Sequence, residues 1–237
     1  MKVNLDPIQL QKQSAALKAV EHVKDGFVVG LGSGSTAAFA IEALGERIKA
    51  ENLHLMGIPT SYQAFLLAVE RGIPITTLDE HPEIDVTIDG ADQVTPELNL
   101  IKGMGAAMAR EKIVAAATKL NVIIADQNKK VKLLGENNQV VPIEVLPFAI
   151  SLTKRKLAAL GGKPTLREGK GKLGPVITDN GNAILDTYFG EIRDPAGLAV
   201  RVKMVPGVVE TGFFIGLTDI VYVGSGSGVE KLEKPRK

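Results

Sequence analysis

The chain has 237 residues, is 45% hydrophobic, and carries 28 basic against 27 acidic residues for a formal net charge of +1. That balance gives no electrostatic reason to expect nucleic acid or an anionic membrane as the main partner. There is no cysteine, which excludes disulfides, thiolate nucleophiles and cysteine-ligated metals. The length allows one large domain, or one domain carrying a smaller one. The amino terminus lacks the basic-then-apolar form of a signal peptide, and no apolar run reaches the ~18 residues a spanning helix needs, so the cytoplasm is the expected compartment.

In chain order, residues 9–24 read as a helix, 27–31 as a buried strand and 36–49 as a helix with apolar residues at helical spacing, a first βα step. Residues 54–58 and 73–77 read as short strands flanking a helix over 61–71. A strand over 85–88 leads into the turn at Asp89. A helix over 105–118 then feeds a strand at 122–125. The alternation predicts an α/β fold: a doubly wound, mainly parallel sheet with helices on both faces. After Asp126 the pattern changes to a strand over 140–145, a helix near 152–160, and a hairpin across Asn180-Gly181, a pair that favours a type I′ turn. These segments predict a smaller inserted α+β domain over 135–206. Apolar runs at 213–217 and 220–223 are expected to rejoin the first domain, which then comprises 1–134 plus 207–237.

Between the first strand and its helix stands Gly30-Leu31-Gly32-Ser33-Gly34-Ser35-Thr36. Glycines there allow a tight turn, and helix-start N–H groups with the Ser33, Ser35 and Thr36 hydroxyls form a plausible phosphate cradle. No lysine follows the last glycine and the dinucleotide spacing is missing, so neither a Walker loop nor a nucleotide fingerprint is present. A glycine turn followed by a Ser or Thr N-cap fits the same residues. The later Gly-Ser tract at 224–228 reads as a flexible turn.

Asp89-Gly90-Ala91-Asp92 follows Val86-Thr87-Ile88. Two nearby carboxylates could shuttle protons or bind sugar hydroxyls; an N-cap, an Asx turn or a magnesium site also fits, although the motif places no third acidic group. Glu111 has Ala107, Met108, Val114 and Ala115 at three and four residues, so no intrahelical cation stands at the favourable spacings. Desolvation on such a stripe would raise its pKa and suit it to act as a base near neutrality. Pairing with a distant lysine or turning to solvent are the alternatives. Lys102, in Lys102-Gly103-Met104-Gly105, and Lys129 each read either as an anion contact or as a solvated loop lysine. His22, His54 and His81 form no triad or metal spacing, and the tract from Arg167 to Lys172 reads as an exposed loop.

In combination and order, Gly-Ser-Gly-Ser-Thr, Asp-Gly-Ala-Asp, Lys-Gly-x-Gly and Arg110-Glu111-Lys112 resemble the ribose-5-phosphate isomerase type A family. The segments 176–182 and 206–209 resemble it too, and the likeness covers nearly the whole chain. The resemblance implies interconversion of ribose 5-phosphate and ribulose 5-phosphate through an enediolate. It makes Glu111 the general base, gives Asp89 and Asp92 roles in ring opening and proton movement, and includes Lys102 in the catalytic set. It places Ser33, Gly34, Ser35, Thr36, Asp89, Gly90, Ala91, Asp92, Lys102, Gly103, Met104, Gly105 and Lys129 in substrate binding. It implies no cofactor or metal, a sugar-phosphate substrate and a homodimer or homotetramer. Met104 stands where the family often has glycine; a backbone contact survives that change. The alternative from another class is a non-catalytic sugar-phosphate sensor, which would not need Glu111 on an apolar stripe. A sugar-phosphate deaminase or acyl-CoA transferase on a related core is a further enzymatic rival; the deaminase would be expected to carry a histidine near its acidic pair.

Overall fold

A computed structural model describes residues 5–171 and 173–234. Its main elements, in chain order, are α1 (Pro7–Val20), β1 (Val28–Leu31), α2 (Gly34–Glu51), β2 (Met56–Pro59), α3 (Tyr62–Arg71), β3 (Ile84–Gly90), β4 (Gln93–Val94), β5 (Leu100–Ile101), α4 (Met108–Ala116) and β6 (Thr118–Asp126). There follow β7 (Val141–Val145), α5 (Ile150–Ala159), β8 (Lys163–Leu166), β9 (Ala183–Tyr188), α6 (Pro195–Lys203), β10 (Val208–Thr211), β11 (Phe213–Phe214), β12 (Ile220–Ser225) and β13 (Gly228–Glu233). The chain divides into two compact units: 1–91, 110–130 and 216–237 form the first, and 92–109 with 131–215 form the second.

The first unit is built on a six-stranded sheet in the order β13-β12-β6-β3-β1-β2. All pairs are parallel except the terminal β12–β13 hairpin. Every residue of β1 is buried, as a central parallel strand covered on both faces requires. Ala15, Ala19, Leu44, Ala68, Val86, Val122 and Ile124 belong to its largest apolar cluster. Local sequence sets the helix ends. Asp6 and Gln9 form a capping box with Pro7 in the first turn of α1, while Ser61 caps α3 by accepting from the Ala64 N–H. The chain leaves β1 for β2 on one side and returns to β3 on the other. That reversal creates a topological switch point at the carboxyl ends of β1 and β3, the usual ligand address in open α/β sheets.

The expected strand over 73–77 reduces to a bridge between Ile75 and Gly57. Pro74 has no N–H to give, and the exchange runs instead through its carbonyl and the Thr76 N–H. The Gly-Ser tract at 224–228 closes the tight β12–β13 hairpin, in which Ser225 pairs with Gly228.

The second unit holds the antiparallel sheet β10-β7-β9-β8 and the small sheet β11-β5-β4. Its boundaries differ from the expected insertion at 135–206. Residues 92–109 and 213–214 lie in it because Phe213 and Phe214 pair antiparallel with Ile101 and Leu100, a contact more than a hundred residues apart along the chain. Ile101, Leu134, Ile143, Leu157, Leu185 and Phe213 share its core. The expected type I′ turn is corrected as well. Gly181 has φ +81° but Asn180 is not left-handed. The Thr178 N–H donates to Asn182 O and the Gly181 N–H to Thr178 O, giving a three-residue loop with glycine in the left-handed position. Tertiary contacts select it. Fully buried Glu144 accepts, through Oε1, from Thr178 Oγ1 at 2.9 Å, Asn180 Nδ2 at 3.1 Å and Asn182 Nδ2 at 2.8 Å.

In the first unit, His22 Nε2 lies 2.9 Å from the Tyr222 hydroxyl, joining the end of α1 to β12. Burial, and secondarily the charge of Lys231, hold its pKa below the ordinary 6.5. The unfolded chain therefore binds this proton more readily than the native one. The contribution is neutral above pH 6.5 and becomes destabilising as pH falls from there toward the lower native pKa. Urea midpoints measured at pH 8 and pH 5.5 are expected to fall less in His22→Gln than in the wild type.

Candidate active site

In the first unit, the carboxyl ends of β1, β3 and β6 carry Ser33 to Thr36, Asp89 with Gly90, and Lys129 respectively. Parallel register sets two of these ends side by side: Leu31 pairs with Ile88, and the Gly32 N–H donates to Ile88 O at 2.9 Å. Asp89 is 2% exposed. Its Oδ1 accepts from the Ser33 N–H at 3.1 Å and from the Gly90 N–H at 2.7 Å, so the carboxylate is fixed against the start of the glycine turn. A Cβ on Gly32 would stand 2.3 Å from Asp89 Oδ1 and 2.5 Å from Asp89 Cα. Only glycine permits that approach.

Ser33 occupies the N-cap position of α2, but its side chain makes no capping hydrogen bond. The hydroxyl instead donates to Ser61 Oγ at 2.6 Å and lies 2.7 Å from Thr60 Oγ1. The start of α2 thus lacks a side-chain cap from Ser33, the kind of helix end that receives anions. The Gly34 N–H donates to Gln63 Oε1 at 2.8 Å, and Ser35 Oγ accepts from Lys12 Nζ at 3.0 Å. Thr60, Ser61, Gln63 and Lys12 were not legible as neighbours of the turn. The residue type of Lys12, a cation on the exposed side of α1, was the one available signal. Lys129 ends a short 3₁₀ turn after β6, where Asp126 caps by accepting from the Asn128 N–H.

Glu111, also in the first unit, is 5% exposed and sits in the first turn of α4. The expected helix over 105–118 begins later and ends earlier because Ala106 is left-handed at φ +62° and Thr118 already belongs to β6. The Ala106 N–H donates to Gly103 O at 3.0 Å, closing a turn that the helical pattern did not reveal. The consequence is electrostatic. First-turn placement sets the Glu111 carboxylate near the positive end of the helix dipole. Ala107, Met108, Val114 and Ala115 are all buried, as the spacing required.

The second unit holds Asp92, Lys102, Gly103, Met104 and Gly105. Asp92 Oδ2 accepts from the Met104 N–H at 3.0 Å. Lys102 is 3% exposed, with its ammonium 5.4 Å from the Phe214 ring centroid, a cation–π contact rather than a solvated loop position. Its backbone is held by the Lys102 N–H to Gly212 O bond at 2.9 Å. Met104 is exposed, so its side chain does not displace the backbone contacts of the loop. Arg167, read from sequence as part of an exposed tract, is instead largely buried and reaches the carbonyls of Gly103 and Met104. Lys172 of that tract lies outside the described residues. No group of three or more His, Asp or Glu among the described residues is placed to hold a metal ion. No described helix is long and apolar enough to cross a membrane.

Gly32→Ala must push Asp89 or the turn aside. The variant is expected to lose roughly 1–3 kcal/mol of stability, the cost typical of overpacking, together with most of its activity. Denaturant unfolding alongside a turnover assay checks both.

The profile of the family described as ribose 5-phosphate isomerase A (phosphoriboisomerase A) matches residues 56–228. Ribose-5-phosphate isomerase A of Methanosarcina acetivorans is 48% identical over 222 residues, 94% of this chain and 93% of the relative. That of Natronomonas pharaonis is 51% identical over 222 residues, 94% of this chain and 96% of the relative. The solved structure of ribose 5-phosphate isomerase A from Methanocaldococcus jannaschii is 45% identical and superposes with a TM-score of 0.92 over 95% of this chain and 99% of that one. A D-ribose-5-phosphate isomerase solved in complex with phospho-erythronic acid is also 45% identical, with a TM-score of 0.93 over 96% of this chain and 99% of that one. With near-complete coverage in sequence and in fold, the chain belongs to the ribose 5-phosphate isomerase A family.

Proposed function

We propose that the chain interconverts ribose 5-phosphate and ribulose 5-phosphate through an enediolate, with Glu111 as the general base. The observation that carries this reading is the buried carboxylate of Glu111 in the first turn of α4, within a chain of this family. Glu111 takes the proton from C2 of the open-chain aldose and returns it to C1. Electrons move only within the substrate, so the reaction needs no redox cofactor.

Asp89 and Asp92 act in ring opening and in moving protons between the sugar oxygens. The bonds from Ser33 and Gly90 hold Asp89 in one orientation, which suits a group that exchanges protons at a set position. Lys102 stabilises negative charge on the enediolate oxygens; its low exposure strengthens that interaction. Ser33, Gly34, Ser35 and Thr36 with Lys129 receive the phosphate, while Gly90, Ala91, Gly103, Met104 and Gly105 line the sugar through their backbones. The protein works as a homodimer, or as a tetramer made from dimers, in the cytoplasm.

Base catalysis typically contributes about 10²- to 10⁴-fold, so Glu111→Gln is expected to lose at least a hundredfold in kcat while still binding substrate. Ribulose 5-phosphate formation and equilibrium binding, measured on the same folded variant, check this. Near-normal turnover contradicts the assignment.

A further inference from the structure

Arg167 follows β8, and its guanidinium is bound on two sides. Nε donates to Asp186 Oδ2 at 2.8 Å and Nη2 donates to Asp186 Oδ1, a two-point ion pair whose side chains are 11% and 19% exposed. Nη1 donates to two successive carbonyls, Gly103 O at 3.0 Å and Met104 O at 2.9 Å. Nη2 also lies 3.9 Å from Met104 Sδ. All these groups belong to the second unit.

Gly103, which carries the first of these carbonyls, stands at φ +108°, where a side chain would be strained. A Cβ there would also come within 3.0 Å of Met108 and 3.1 Å of Pro142. The Met104 N–H is committed elsewhere, to Asp92 Oδ2 at 3.0 Å. The peptide after Lys102 is thus oriented by opposite charges: its carbonyls face a cation and one of its N–H groups faces a carboxylate.

We propose that Arg167, aligned by Asp186, is a positioning residue that sets the loop of Gly103, Met104 and Gly105 for an anionic sugar substrate. The proposal rests on the isomerase reading. With the guanidinium in place, the negative ends of two peptide dipoles are neutralised and turned in a fixed direction. Without it, Met104 O loses the guanidinium and Gly103 O keeps only the Ala106 N–H, so the loop can turn these dipoles toward a phosphorylated ligand and repel it. A lysine cannot replace it, because one ammonium cannot grip both carboxylate oxygens and two carbonyls in a planar fork.

Arg167→Gln and Arg167→Lys are each expected to raise KM for ribose 5-phosphate roughly tenfold, with kcat changed by less than about threefold. Asp186→Asn should shift KM in the same direction by less. The double variant Arg167→Gln/Asp186→Asn should be no worse than Arg167→Gln alone, because both changes remove one coupled unit. Amide exchange gives a readout independent of activity. The peptide carrying Lys102 to Gly105 is expected to exchange faster in these variants, while β7 and β9 keep wild-type protection.

Unchanged exchange in that peptide, or a KM within about twofold of wild type in folded Arg167→Gln, overturns the proposal. If Arg167→Gln fails to fold, Arg167→Lys and Asp186→Asn carry the same two measurements. A wild-type chain that does not isomerise ribose 5-phosphate refutes the proposed function but not the positioning, which the exchange data still decide.

Discussion

The turn leaving β1 runs hard against the end of β3, and the proposed chemistry of the first unit depends on that contact. Gly32 gives its N–H to Ile88 and presents only a hydrogen to Asp89. Because β1 and β3 are parallel and in register, both chain ends emerge on the same edge of the sheet. The turn backbone can then donate to the Asp89 carboxylate. One close approach, open only to glycine, couples the glycine turn to a buried acid. Burying that carboxylate would be costly without donors, and the Ser33 and Gly90 N–H groups supply them.

The second unit solves a similar problem with side chains. Its buried Glu144 gathers three donors from one hairpin, and Arg167 gathers two carbonyls and a carboxylate. Each is a polar side chain with little exposure whose several partners fix its orientation. A loop of glycines would otherwise have many conformations, and Gly103 is kept at a positive φ by what surrounds it rather than by its own preference.

The first unit was largely legible because its signals are local. The buried run of β1, the helical spacing of α2 and the Ser61 start of α3 each sit within a few residues. The motifs at Asp89, Lys102 and Glu111 were visible as residue types at strand and helix ends. What escaped was set by distant partners. Strands β4, β5 and β11 have two residues each, too few for any periodicity, and the pairing of β11 with β5 across more than a hundred positions moved the domain boundary. The start of α4 depends on a left-handed Ala106, which no propensity favours. Arg167 lay in a glycine- and lysine-rich tract whose composition suggested solvent, while Asp186, its partner, is nineteen residues away. A charged residue's burial cannot be read without knowing what faces it.

These features support one account: a proton moved between adjacent carbons by a buried carboxylate, with the phosphate and the oxygens held elsewhere. The most direct test is isomerisation of ribose 5-phosphate in deuterium oxide, with the product analysed at C1. The account predicts ribulose 5-phosphate carrying solvent deuterium at C1, introduced when the protonated base exchanges before it returns its proton. Efficient product formation with no solvent deuterium at C1, the pattern of a direct hydride shift, would contradict it.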